Sequence, residues 1–142
     1  MHFISNIIII VVIIARMGTC ISVKKSQSQS RRADILITGL EGSGKSVIFF
    51  KITGHPHLNH PIPTIGTNSE VITHCDTNLS IYEMGDKEIQ SFLTSSVLVR
   101  GLMFVVDGAN KKELKEASIY FKSVINFLKV PLLVYLTKKD KI

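Results

Sequence analysis

The stretch GLEGSGKS occupies residues Gly39–Ser46 and fits the pattern G-x-x-x-x-G-K-S. The apolar run Ile35–Thr38 before it predicts a buried strand, and Val47–Thr53 after it predicts a helix that ends at Gly54. A loop of this pattern between a strand and a helix binds phosphate, because its glycines let backbone N–H groups and the helix N-terminus point at phosphate oxygens. The sequence therefore predicts a nucleoside phosphate as the ligand class.

The end of this loop supplies the side chains expected to contact the phosphates and a cation. We expect Lys45 to reach the β and γ oxygens, and the Ser46 hydroxyl to be a ligand of the Mg²⁺ that bridges them. The nucleotide-binding residues predicted in the loop are Gly39, Leu40, Glu41, Gly42, Ser43, Gly44, Lys45 and Ser46. A phosphate loop by itself does not distinguish kinases, ATPases and GTPases, so the class of protein has to be inferred from the later segments.

The other apolar segments predict an α/β domain with a mostly parallel sheet. Asn68–Cys75 and Asn78–Glu83 look like two strands, and their short connection predicts an antiparallel pair. Leu102–Val106 and Pro131–Leu136 are continuous apolar runs, which are typical of buried parallel strands. Between these runs, apolar residues recur every three or four positions over Lys111–Lys129, which predicts an amphipathic helix.

Three further segments follow the phosphate loop in a fixed order: PTIG at Pro63–Gly66, GLMFVVDGAN at Gly101–Asn110 and VPLLVYLTKKD at Val130–Asp140. Together with GLEGSGKS they resemble the small GTPases of the ADP-ribosylation factor (Arf and Arf-like) family. The resemblance implies the P-loop NTPase small-GTPase fold with helices on both faces of the sheet, GTP or GDP and Mg²⁺ as cofactors, and a molecular switch in vesicle trafficking. It also implies that Thr64 closes on Mg²⁺ and the γ-phosphate, and that the two strands after it form a hairpin that slides when GTP replaces GDP.

The first departure from the family is its D-x-G-G-Q segment, which reads EMGDK over Glu83–Lys87. Two registers are open. Either Asp86 replaces the glycine whose N–H meets the γ-phosphate and Lys87 replaces the water-positioning glutamine, or Gly85 keeps that contact and Asp86 takes the place of the glutamine. Glu83 retains the carboxylate that holds Mg²⁺ through water. Because neither register contains the glutamine and an acidic group repels the γ-phosphate, we expect very slow GTP hydrolysis and a weak GTP-driven switch.

The second departure is the guanine-reading N-K-x-D segment, which reads TKKD over Thr137–Asp140. Asp140 can still accept hydrogen bonds from guanine, and the stem of Lys138 can still lie along the base. Thr137 loses the bridging amide of the family's asparagine. Since each lost buried hydrogen bond is worth on the order of 1 kcal/mol, we expect the affinity to fall several-fold while guanine stays the preferred base.

The third departure is the end of the chain at Ile142. The family continues with a further helix, an edge strand and a C-terminal helix, so the fold is expected to lack its last strand and C-terminal helices. Residues 34–142 are then a partial GTPase domain. We expect the apolar faces of the Leu102–Val106 and Leu132–Leu136 strands to be exposed to water and the sheet to end in an exposed edge.

The N-terminal residues differ in composition from this body. Residues 1–16 form an apolar segment too short to span a bilayer, and we expect translation to start at Met17 so that this segment is not part of the mature protein. Residues 17–33 are then a lipid anchor and basic linker. MGTCIS at Met17–Ser22 fits the N-myristoylation pattern with Gly18 as the acceptor, and Cys20 can carry a second acyl chain.

The positive charge lies mostly before the body. The chain carries 17 Lys and Arg against 11 Asp and Glu, whereas residues 34–142 carry 12 against 11. This distribution argues against a nucleic-acid partner and favours an anionic membrane that the lipid and basic linker would contact. Two cysteines make no disulfide framework, so we expect a cytoplasmic protein. The resemblance implies a Golgi or other endomembrane surface, with effector and exchange-factor proteins that the sequence does not identify.

Other interpretations stay open on the sequence. The chain can be a pseudo-GTPase that acts as a binding scaffold, or a truncated non-functional product; a P-loop small-molecule kinase is disfavoured because PTIG and TKKD would then be coincidences. A metal site is the alternative for four histidines, but they lack the usual carboxylate or cysteine partners, so a solvated loop is favoured. These histidines are His55, His57, His60 and His74.

Overall fold

The computed structural model describes residues 31–55, 66–74, 77–94 and 98–138. In chain order the elements are β1 (Arg31–Thr38), α1 (Lys45–Ile52), β2 (Thr67–His74), β3 (Thr77–Met84), α2 (Ile89–Leu93), β4 (Val99–Asp107), α3 (Leu114–Phe127) and β5 (Leu132–Thr137). The strand–loop–helix unit, the strand pair and the later strand–helix–strand unit are all present. This order confirms the predicted α/β class.

The described strands form one sheet in the order β2-β3-β1-β4-β5. β1 pairs in parallel with both β3 and β4, and β4 pairs in parallel with β5, whereas β2 runs antiparallel to β3. The prediction of a mostly parallel sheet with one antiparallel pair is confirmed. Because the parallel strands share a direction, they end along one edge of the sheet at Thr38, Met84, Asp107 and Thr137. Ligands of open α/β sheets bind outside this carboxyl edge.

Helices cover both faces of this sheet, as the resemblance implies. Successive residues of a strand point to opposite faces, so Ile37 of β1 packs in one cluster with Ile48 of α1, while Leu36 packs with Ile89 of α2 and Val124 of α3. All five side chains are buried. Among the described residues, no helix is both long and apolar enough to cross a bilayer.

The elements differ most from the prediction at the start of β1 and at α2. β1 begins at Arg31 rather than Ile35, because its first residues pair with Thr77–Leu79 of β3. The predicted boundary between linker and body, after residue 33, therefore falls inside a strand. The helix α2 was not predicted, since its five residues are too few to show a helical period, and it is held by burial of Ile89.

The apolar side chains of the last two strands were expected to be exposed to water. This prediction is confirmed for β5 but is wrong for β4. Phe104 of β4 is buried because α3 covers it, with the rings of Tyr120 and Phe121 packed against it at centroid distances of 5.5 and 5.0 Å. Along β5, by contrast, Leu132, Val134 and Leu136 are 44%, 47% and 56% exposed. The apolar run of β5 is thus covered on one face only.

Candidate nucleotide site

The phosphate loop begins where β1 ends and closes where α1 begins at Lys45. Gly39, the first residue of the loop, has φ 152°, and a Cβ there would overlap the carbonyl oxygen of Val105 in β4. Gly44 has φ 92° and is the N-cap of α1, so the first N–H groups of the helix open onto the loop. Glycine at these two positions gives the backbone geometry that an anion-binding loop needs.

Lys45 lies buried within the loop, and its Nζ donates a hydrogen bond of 2.8 Å to the carbonyl oxygen of Leu40. Burial lowers the pKa of Lys45, while nearby carboxylates, first among them Glu83 and then Asp86, favour its charged form. The loop thus holds the ammonium group at the position where phosphate oxygens can replace the carbonyl as its acceptor.

A hydroxyl and a carboxylate meet beside Lys45. The Ser46 hydroxyl donates a hydrogen bond of 3.2 Å to Oε1 of Glu83, and the side-chain amide of Asn68 donates one of 2.7 Å to Oε2. Glu83 is fully buried near the end of β3. Both groups offer hard oxygen atoms that fit Mg²⁺; Ser46 would be a direct ligand and Glu83 would hold the cation through water. When bound, Mg²⁺ would neutralise part of the phosphate charge.

Thr137, at the end of β5, is tied to the phosphate loop. Its hydroxyl lies 2.7 Å from the carbonyl oxygen of Ser43 and 3.2 Å from that of Val106, and both are acceptors. A hydroxyl has one proton to donate, so the shorter bond to Ser43 dominates. The sequence predicted that Thr137 loses the bridging amide of the family's asparagine. The structure adds that the threonine hydroxyl forms its own bond between the end of β5 and the loop.

Lys138 crosses from the end of β5 to the phosphate loop and to β4. Its Nζ donates hydrogen bonds of 3.0 Å to the carbonyl oxygen of Gly42 and of 2.6 Å to Oδ2 of Asp107. Burial opposes ionisation of Asp107, but the hydrogen bonds from Lys138 and from the Ala109 N–H outweigh it, so the pKa of Asp107 lies below its ordinary value. The Lys138 side chain is therefore held between the phosphate loop and the end of β4.

The EMGDK segment (Glu83–Lys87) begins with the last two residues of β3 and continues from Gly85 into the turn that follows. Thr38 Oγ1 at the end of β1 donates a hydrogen bond of 3.2 Å to the Met84 carbonyl oxygen, and the Tyr120 hydroxyl of α3 lies 2.6 Å from the same oxygen of Thr38. Because the one proton of Thr38 goes to Met84, Tyr120 is the donor to Thr38. This network fixes the end of β3, and so the start of the turn at Gly85, relative to the start of the phosphate loop.

Several predicted residues lie outside the described part of the chain. They are Thr64, Asp140 and the lipidation residues Gly18 and Cys20, together with His57 and His60. Of the other histidines, the ring of His55 pairs through Nε2 with Glu70 Oε2 at 3.0 Å. Within residues 31–55, 66–74, 77–94 and 98–138, no group of three or more His, Cys, Asp or Glu side chains is arranged to hold a metal ion.

Four residues of the site were missed by the sequence reasoning: Thr38, Asn68, Asp107 and Tyr120. Thr38 and Asp107 each end a buried strand, and the rule that parallel strands end at the ligand edge would have found them. Asn68 and Tyr120 carry no such local signal, because only the packing of β2 on β3 and of α3 on the sheet brings them to the site.

The loop, the buried lysine and the hydroxyl–carboxylate pair at the carboxyl edge of a parallel sheet define a P-loop protein with the α/β fold of small GTPases. A model of the ADP-ribosylation factor family matches residues 20–142 of the chain. The chain therefore belongs to the ADP-ribosylation factor family, which confirms the resemblance.

Curated relatives show the same similarity over part of their length. The chain is 29% identical to ADP-ribosylation factor-like protein 14 of Mus musculus over 119 residues, covering 79% of this chain and 62% of that protein. It is 30% identical to ADP-ribosylation factor-like protein 2 of Drosophila melanogaster over 101 residues, covering 70% and 54%. For ADP-ribosylation factor-like protein 9 of Homo sapiens the identity is 29% over 115 residues, covering 79% and 62%. The chain thus spans less than two thirds of these relatives.

Proposed function

We propose that this chain binds a guanine nucleotide with Mg²⁺ and acts as an Arf-like switch at a membrane surface. The observation that carries the proposal is the placement of Ser46 against Glu83 beside the buried Lys45. Lys45 supplies a cation for the phosphates, and Ser46 and Glu83 supply oxygen atoms for Mg²⁺. A site for a nucleoside phosphate needs both.

The preference for guanine rests on the segment that follows β5. Thr137 and Lys138 are both bonded to the phosphate loop, at Ser43 and Gly42. Asp140, two residues further on, would accept the hydrogen bonds of guanine that adenine cannot donate. Because the hydroxyl of Thr137 keeps a bridge to the loop, the loss in affinity relative to an asparagine is expected to be small.

Hydrolysis is proposed to be very slow. No glutamine stands in the segment from Glu83 to Lys87, so no side chain of that type orients the attacking water. Single-turnover hydrolysis of radiolabelled GTP tests this point, and a rate typical of other small GTPases would contradict it.

Membrane attachment is proposed through myristoylated Gly18, with acylated Cys20 or the basic residues before the body as the second signal. A vesicle-trafficking role on the cytoplasmic face of the Golgi or another endomembrane follows from this proposal. The mass of the N-terminal peptide from cells tests it. A mature protein that begins at Met1 contradicts the proposed anchor.

The nucleotide proposal is tested by titrating the full chain with labelled GDP, GTP and ADP in Mg²⁺. We expect binding of GDP with at least tenfold preference over ADP, loss of binding in Lys45→Met, and no change in the matched control Lys122→Met, which alters an exposed lysine of α3. Circular dichroism verifies that both variants are folded. A folded wild-type chain that binds none of the nucleotides would favour a pseudo-GTPase scaffold instead.

A further inference from the structure

The turn between β3 and α2 places two acidic side chains next to the proposed phosphate site. Asp86 and Glu88 lie one and three residues after Gly85, and both are partly buried. A Cβ on Gly85 would lie only 2.9 Å from Oε2 of Glu88, so this carboxylate is folded back onto the backbone of Gly85.

The charges around Lys45 are consistent with this placement. The carboxylates that act on the Lys45 ammonium group belong to four side chains: Glu83, Asp86, Glu41 and Glu88. After burial, the negative charges of Asp86 and Glu88 also raise the pKa of the Tyr120 hydroxyl in α3. Four carboxylates therefore favour the charged form of one buried cation, whereas Lys87, the basic residue of the turn, is exposed.

The third phosphate of a nucleotide would enter this negative region. In a loop of the G-x-x-x-x-G-K-S pattern the lysine reaches the β and γ phosphates, and the Mg²⁺ held by the final hydroxyl bridges them. Here that hydroxyl, of Ser46, is bonded to Glu83 near the end of β3. A γ-phosphate would thus lie between Lys45 and the turn that follows β3, whereas a β-phosphate stays within the loop.

We infer that Asp86 and Glu88 make this site selective for a nucleoside diphosphate over the triphosphate, with Glu88 as a specificity-determining residue. The inference rests on the proposed function. Its physical basis is that a triphosphate brings an additional ionised group toward two carboxylates in a partly dehydrated turn, whereas a diphosphate does not.

The experiment is equilibrium titration of the full chain with fluorescent GDP and a non-hydrolysable GTP analogue in Mg²⁺. We expect GDP to bind at least tenfold more tightly than the analogue, and the ratio to narrow as KCl is raised, because salt screens partly exposed charges. In Asp86→Asn with Glu88→Gln, affinity for the analogue is expected to rise about tenfold while affinity for GDP changes less than twofold. The matched control is Glu116→Gln on the exposed side of α3.

The outcomes separate this inference from the proposed function. Equal affinities for GDP and the analogue in the wild-type chain overturn the inference and leave nucleotide binding intact. A double variant that shifts both affinities equally, or neither, also overturns it. Failure of the wild-type chain to bind either nucleotide removes the proposed function and the inference with it. Should the double variant not fold, the single variant Glu88→Gln carries the same test, with an expected gain of about threefold for the analogue.

Discussion

The hydroxyl of Thr137 donates a hydrogen bond of 2.7 Å to the carbonyl oxygen of Ser43, across 94 residues of sequence. This bond joins the end of β5 to the middle of the phosphate loop. The Lys138 bond to Gly42 runs beside it. The segment proposed to read the base and the loop proposed to hold the phosphates are therefore positioned as one unit.

Thr137→Val should weaken this unit. Valine has nearly the same shape but no hydroxyl, so the Ser43 carbonyl loses its partner, and we expect the free energy of unfolding to fall by about 1 kcal/mol. Urea denaturation measures this change. Thr137→Ser, which keeps the hydroxyl, is the control and should retain most of the stability. Equal stabilities of the valine variant and the wild-type chain would show that the bond contributes nothing.

Tyr120→Phe should destabilise the chain and alter its response to alkaline pH. The phenol donates to Thr38, and burial raises the pKa of Tyr120 to about 12. The folded state thus holds this proton more tightly than the unfolded state, whose tyrosines titrate near pH 10. The stabilisation is complete below about pH 10 and is lost as the pH rises toward 12.

Urea denaturation of both proteins at pH 8 and at pH 11 checks this prediction. At pH 8 the phenylalanine variant should be less stable by about 1 kcal/mol, because one buried hydrogen bond is missing. At pH 11 the difference between the two proteins should shrink. A difference that stays constant or grows with pH would contradict the assigned role of the phenol.

Ser43→Ala should stabilise the chain. The Ser43 side chain is 2% exposed, and its Oγ is the buried side-chain polar atom without a hydrogen-bond partner in the part of the chain that the structure describes. Removing an unsatisfied hydroxyl should raise the free energy of unfolding by about 1 kcal/mol. The matched control is Ser123→Ala, whose hydroxyl donates 2.7 Å to the Tyr120 carbonyl oxygen. The control should show no increase in the free energy of unfolding. A decrease in Ser43→Ala would contradict the prediction.

Gly39→Ala and Gly42→Ala should differ sharply although both change a loop glycine. At Gly39 the new methyl group would overlap the Val105 carbonyl oxygen of β4, which is backbone and cannot give way, so we expect a loss of at least about 3 kcal/mol or failure to fold. Gly42 has φ 72° but open space around it, so only the backbone strain of about 1 kcal/mol remains. Thermal unfolding compares the two, and similar melting temperatures would refute the close approach of the loop to β4.

The sequence by itself determined the phosphate loop, the order of most elements and the antiparallel pair β2–β3. These follow from local patterns: a glycine spacing that only a phosphate loop requires, apolar runs of strand length and a helical period over α3. The family resemblance came from the same local segments. The five-residue helix α2 fell below the length at which a period can be recognised.

Only the tertiary structure decided which distant groups meet. The pairing of β1 with β3 and β4 brings the phosphate loop beside Glu83, and the pairing of β4 with β5 brings Thr137 to Ser43. The Thr137 hydroxyl can donate to the Ser43 carbonyl oxygen only because this pairing brings the two atoms within 2.7 Å. The covering of one face of β5 likewise depends on packing between segments far apart in sequence, for which no local pattern exists.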